Sequence, residues 1–97
     1  MSLAWLNETA RGEFQASGDL TFESIMELLE ESQPLLAARR EATIDLSAIG
    51  RADSAAIALL VEWRRRARLD GRTLRFRGLP QSLRDLLELS ELTELLD

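Results

Sequence analysis

An α/β fold of order β-β-α-β-α-β-α, with helices covering one side of the sheet, is what this sequence predicts. Three observations carry that prediction. Two segments alternate polar and apolar residues at strand period, Glu13-Phe14-Gln15-Ala16-Ser17 and Arg72 to Arg77. A β-type run, Thr43-Ile44-Asp45-Leu46-Ser47, leads through a short loop into Asp53-Ser54 and an unusually apolar helix. Each alternating strand has one strongly apolar face, so helices belong on one side and polar groups on the other.

Taken in order, Leu3-Ala4-Trp5-Leu6 reads as a short strand, and Arg11-Gly12 suits a hairpin turn into the next. Gly18-Asp19 is expected to end that second strand. Thr21 is placed to cap a helix whose stripe is Phe22, Ile25, Met26 and Leu29, with Glu23, Glu27, Glu30 and Glu31 off it. Pro34 ends that helix or kinks it on the way through Leu35-Leu36. The next strand-turn-helix unit runs from Ala42 to about Leu69, and Asp70-Gly71 closes it with a residue able to turn left-handed. In the following strand Leu74 and Phe76 point one way, and Thr73, Arg75 and Arg77 the other. Pro80 opens a last helix carrying Leu83, Leu86 and Leu87, and Ser90 to Asp97 forms a final short turn or helix.

Composition limits what such a fold can do. The 97 residues suit one domain, spanning 1–97, with 45% hydrophobic and 30% charged residues. The longest uncharged apolar run, Ala55 to Val61, is far below the ~20 residues that span a bilayer. The start, MSLAWLNE, lacks the basic and long apolar regions of a signal peptide, so a cytoplasmic location is expected. The chain has no His, Cys, Tyr or Lys. The usual general base, zinc ligands, thiol nucleophile and Schiff-base amine are therefore missing, which points to a binding or regulatory module and not an enzyme. Asp45 and Asp53 alone are a weak basis for a metal site, and no cofactor is expected. Twelve arginines face seventeen acids, a net charge of −5 that argues against generic nucleic-acid binding. Seven of the arginines fall between Arg64 and Arg77 against one acid, Asp70, a polarity able to steer a partner or meet an anionic membrane surface.

The helix after Asp53-Ser54 is the most informative. On a 100° wheel Ala56, Leu60, Trp63 and Ala67 share one narrow sector, flanked by Leu59, that faces the core. The other side holds Ser54, Ala58, Val61 and Arg65, with Leu69 nearby. Solvent-facing sides normally carry long polar residues, whereas this one is small and apolar, then basic. The plain reading is good helix formers and an ordinary exposed valine. The sharper reading is a docking surface where small residues admit close approach and arginine meets a partner's acids. Either Asp53 or Ser54 can cap the helix. A phosphate on Ser54 would sit at the helix N-terminus and place negative charge inside the docking face.

These residues resemble the STAS domain, shared by anti-sigma factor antagonists and the cytoplasmic parts of sulfate transporters. The likeness spans essentially the whole chain and is most specific over IDLSAIGRADSAAIALL, Ile44 to Leu60. It implies a mixed sheet with helices packed mainly on one face. LAWLNE, SGDL and the DLS…DSAAIALL core are most similar to the MlaB type, small subunits of ABC systems that move phospholipids between the two membranes of Gram-negative bacteria. That resemblance implies a subunit docked on a cytoplasmic, MlaF-like ATPase, supporting its assembly and activity, and hence outer-membrane lipid asymmetry. The interface would comprise Ser54, Ala55, Ala58, Val61 and Arg65. It implies a location peripheral to the inner membrane through the partner, with no membrane insertion and a possible homodimer when unbound. The alternative is an anti-sigma factor antagonist whose Ser54, beside Asp53, is phosphorylated by a partner serine kinase. Both groups usually place glycine soon after this serine, whereas this chain has Ala55-Ala56, a departure that bears more on the phospho-switch than on docking.

Overall fold

A computed structural model describes residues 3–92. Seven elements follow in order: β1 (Ala4–Ala10), β2 (Glu13–Leu20), α1 (Ile25–Ala37), β3 (Glu41–Ala52), α2 (Ser54–Leu69), β4 (Thr73–Arg77) and α3 (Gln81–Leu89). The four strands form one mixed sheet in chain order. β1 runs antiparallel to β2, and β2–β3 and β3–β4 are parallel pairs.

The alternation anticipated for the strands becomes the division of the sheet into two faces. Phe14, Ile44 and Phe76 are register partners across β2, β3 and β4, and all are buried. Their neighbours Gln15, Asp45 and Arg77 form the next row on the opposite, solvent-facing side. α1 packs over β1, α2 over β4 and against α1, and α3 against α2. Trp63, fully buried, tilts over Phe76 with ring centroids 6.4 Å apart.

Several boundaries differ from expectation. β1 continues to Ala10, and β2 does not stop at Gly18-Asp19 but reaches Leu20. β3 likewise runs through the expected loop to Ala52, because β2 and β3 stay paired as far as Leu20 and Ala52 across two register shifts. On its other edge, Gly18 lets β2 lie close to the start of β1: its φ is +92°, and a Cβ there would lie 2.2 Å from the Leu3 carbonyl oxygen. α3 begins at Gln81, with Pro80 as its N-cap residue. Residues 93–97, part of the expected terminal turn or helix, lie outside the described residues.

The largest correction concerns α1. It starts at Ile25 with Ser24 in the N-cap position, not at Thr21. The Ser24 hydroxyl is occupied by the Asp19 and Thr21 carbonyls and accepts from the Thr21 N–H at 3.0 Å, which winds residues 19–24 into a tight turn. The buried face is therefore Leu28, Ser32 and Leu36, with Ile25 and Leu29 partly buried. Phe22 and Met26, expected in the core, are 73% and 65% exposed. Pro34 sits within the helix on its exposed side without ending it, and the helix runs on to Ala37.

Ser32 is buried because Trp63 needs it. The indole N–H of Trp63 donates to Ser32 Oγ at 2.9 Å, and that hydroxyl donates to the Leu29 carbonyl at 3.1 Å. This buried polar pair thus helps to register α1 against α2.

Candidate docking site

Asp53 decides how α2 begins. Its backbone is extended and its carboxylate accepts the Ala55 N–H at 2.8 Å, so Asp53, not Ser54, is the cap. Its own N–H donates to the Leu20 carbonyl at 3.2 Å, fixing the helix start to the end of β2. The second carboxylate oxygen receives the Phe22 N–H at 3.5 Å. One side chain therefore holds the α2 start and the turn carrying Phe22.

With Asp53 as cap, Ser54 becomes the first helical residue. It is exposed, and its hydroxyl makes no hydrogen bond among the described residues. Ala58, Val61, Arg65 and Leu69 follow on the same exposed side, while Ala56, Leu59, Leu60, Trp63 and Ala67 are buried. The helical wheel is thus reproduced residue for residue, whereas the interface set that the resemblance implied differs in exposure at one position. Ala55 is 2% exposed, and its side chain belongs to the interior instead of the docking face.

Arg65 faces outward, but its fork is already filled. Its Nε and Nη2 donate to the two Glu62 oxygens at 2.8 and 2.7 Å, and Arg66 Nε shares the second oxygen at 2.7 Å. Arg66 also reaches Gln33 on α1 at 3.1 Å. Hydrogen bonds from Arg65 and then Arg66 pull the Glu62 carboxyl down to about 2. The lower half of the exposed side is therefore an ion-pair cluster in which two arginines share one glutamate, and the apolar half near Ser54 is where contact energy can come from.

Phe22 and Met26 enlarge that apolar half. They are the residues that sequence reasoning misplaced, and the reason is physical: Ser24 and Ser32 occupy buried positions of the α1 register, so hydropathy favours the neighbouring stripe. The missed signal was the indole N–H of Trp63, which needs a polar partner once it is buried. The result is four exposed apolar residues, Phe22 and Met26 on the α1 side and Ala58 and Val61 on α2, with Phe22 tied through Asp53 to the helix start that carries Ser54. Exposed Glu23, Glu27 and Glu30 flank it along α1.

The two aspartates considered for a metal are separately engaged. Asp45 accepts the Ser47 N–H at 2.8 Å, and the hydrogen bonds from Ser47, aided by Arg77 at 3.6 Å, hold its carboxyl below the usual range. Asp53 caps α2. Among the described residues no cluster of acidic side chains forms a metal-ligand set. No helix among them is long and apolar enough to cross a membrane.

A family profile described as Mlab, STAS domain, matches residues 7–97. The chain belongs to the MlaB-type STAS domain family. Its fold is similar to that of an anti-sigma factor antagonist, SpoIIAA in its unphosphorylated form. That match has a TM-score of 0.71 at 14% identity and covers 93% of this chain and 82% of that one. No curated protein sequence matches. The β-β-α-β-α-β-α order and the mixed sheet anticipated from the sequence are those of this fold. STAS domains of these two kinds are binding and regulatory domains that act through other proteins.

Proposed function

We propose that this domain is a non-enzymatic accessory subunit that docks on the cytoplasmic ATPase of an MlaFEDB-type phospholipid-transport ABC complex and supports its assembly and activity. It works in the cytoplasm, peripheral to the inner membrane through that partner. The observation that carries this reading is the exposed, small and apolar N-terminal half of α2, Ser54, Ala58 and Val61, to whose cap Asp53 the turn carrying exposed Phe22 is tied. An interface core of this kind joins large apolar anchors to small residues that let a partner backbone approach. Burying exposed apolar area contributes about 25 cal/mol per Å², so covering Phe22 and Met26 alone supplies a few kcal/mol to docking. Ala58→Glu places a charge in the centre of the surface without touching the core. It should abolish copurification with the ATPase while leaving the circular dichroism spectrum unchanged. Undiminished complex formation would remove this face from the assignment.

A second reading is favoured by one observation, the free and exposed Ser54 hydroxyl beside Asp53. On this reading the domain is an anti-sigma factor antagonist switched by phosphorylation of Ser54. The Ala55 N–H that a phosphate would seek is already taken by Asp53, so the added charge would project outward into the docking face. Intact-mass analysis of protein from its native host decides the point: a phosphate on Ser54 supports the switch, and unmodified protein under all growth conditions removes it.

A further inference from the structure

The arginines outside the docking face are not scattered. At the opposite end of the sheet, where β3 and β4 begin and α1 and α2 end, three hollows of about 520, 300 and 410 Å³ adjoin one another. Arg75 lines the first and second, Arg72 the second and third, and Arg40 the first and third. Arg68 lines the second. The shared arginines link the three into one basic trough, with Thr73 on the first two hollows, at the end of α2 about 24 Å along the helix from Ser54.

Two features set this trough apart from an ordinary solvated charged surface. First, the side chains of Arg40, Arg68 and Arg75 have no hydrogen-bond or ion-pair partner among the described residues, although the chain as a whole is acidic. The carboxylates present are mostly engaged: Glu13 lies 3.5 Å from Arg77, and Asp70 3.1 Å from Arg72, leaving Glu41. Secondly, the Arg72 side chain is only 9% exposed, and its Nε–H is buried with no acceptor. Its Nη1 donates to the Leu36 carbonyl at 3.1 Å and its Nη2 to Asp70, which fixes the guanidinium in place with the buried Nε–H unpaired. An orphaned, charged donor of this kind is costly unless something supplies the acceptor.

We propose that this trough is an anion site for a phosphate-bearing ligand, held by Arg40, Arg68 and Arg75 around the fixed guanidinium of Arg72. A phosphate group offers several strong acceptor oxygens and up to two charges, matching planar guanidinium forks that lack carboxylate partners. The same chemistry is presented by a free phosphate and by a phospholipid headgroup. The site is separate from the docking face and stands or falls independently of the proposed partner.

The experiment is a ¹H–¹⁵N NMR titration at ionic strength held constant with sodium chloride, following the Arg72 Nε–H and the Thr73 amide. One arm uses inorganic phosphate and the other monomeric dihexanoyl-phosphatidylglycerol. A saturable shift of both signals is expected in at least one arm, and at least tenfold weaker binding in Arg40→Gln/Arg75→Gln. Saturation with phosphate identifies a free-anion site, and saturation with the lipid alone a headgroup site. Linear or absent shifts in both arms would overturn the proposal, as would saturation undiminished in a double variant whose spectrum shows it folded. The wild-type titration is decisive even if that variant fails to fold.

Discussion

Asp53 and Phe22, thirty-one residues apart, are joined by a hydrogen bond from the Phe22 N–H to the Asp53 carboxylate at 3.5 Å. The same carboxylate caps α2 through the Ala55 N–H. A residue that starts a helix therefore also sets where the largest exposed apolar side chain of the proposed docking surface stands. Stability and the proposed docking meet at this point, and the following substitutions separate the two contributions.

Asp53→Ala removes the cap and the Phe22 tether together. The cap alone is worth about 1 kcal/mol, so the urea midpoint should fall accordingly while the unfolding slope stays unchanged. Asp53→Asn retains an oxygen acceptor and should recover most of that loss. Equal stability of wild type and the alanine variant would show that the cap contributes nothing.

Phe22→Ala and Met26→Ala test whether these residues serve docking instead of the core. Both side chains are largely exposed, so stability should change by no more than about 0.5 kcal/mol. Affinity for the partner should fall about tenfold or more for Phe22→Ala. A loss of several kcal/mol in chemical denaturation would instead return these residues to the core.

Ser32→Ala tests the Trp63 pairing. With its partner gone, the buried indole N–H is left unsatisfied, at a cost of about 1–3 kcal/mol. Trp63→Phe added to Ser32→Ala removes the stranded donor. The double variant should therefore lose less than the sum of the single losses, and simple additivity in a double-mutant cycle would contradict the pairing.

Acid should weaken the fold in a defined window. Glu62 is lowered from 4.5 to about 2 by its hydrogen bonds to Arg65 and Arg66, and Glu8 to about 2 by Arg39 and then the Gly12 N–H. A folded-state value below the unfolded one means the contribution is present above about pH 4.5 and is lost as pH falls toward 2. Both groups are solvent-exposed, so the effect is small and salt-sensitive. Thermal midpoints between pH 5 and 2 should fall less steeply in Glu62→Gln than in wild type. Parallel curves would show that the ion-pair cluster has no energetic weight.

How much was legible in the sequence follows from which physical signals are local. The exposed side of α2 was read correctly at Ser54, Ala58, Val61 and Arg65, because helical periodicity and a wholly apolar opposite sector leave one rotation available. The alternation around Phe14, Leu74 and Phe76 was equally plain, since strand period and a single buried face coincide. Ala55 was misjudged, because being next to Ser54 in sequence places it 100° around the helix, against the interior. The start of α1 was misread because Ser24 engages Asp19 and Thr21 in a turn that no hydropathy pattern records. Its buried stripe was hidden for a related reason: Ser32 is in the core only because Trp63, thirty-one residues on, supplies a donor. The pairing of Arg65 with Glu62 is a local helix pair that spacing alone makes legible.

The central claim is that the N-terminal face of α2 binds the ATPase of a lipid-transport complex. Its most direct test is an affinity pull-down from native membranes solubilised in mild detergent, with wild type and Ser54→Glu, read by mass spectrometry. The account predicts an ABC ATPase and its permease with wild type and their loss with Ser54→Glu. Recovery of a serine kinase in place of the ATPase, or of the same ATPase with both proteins, would contradict it.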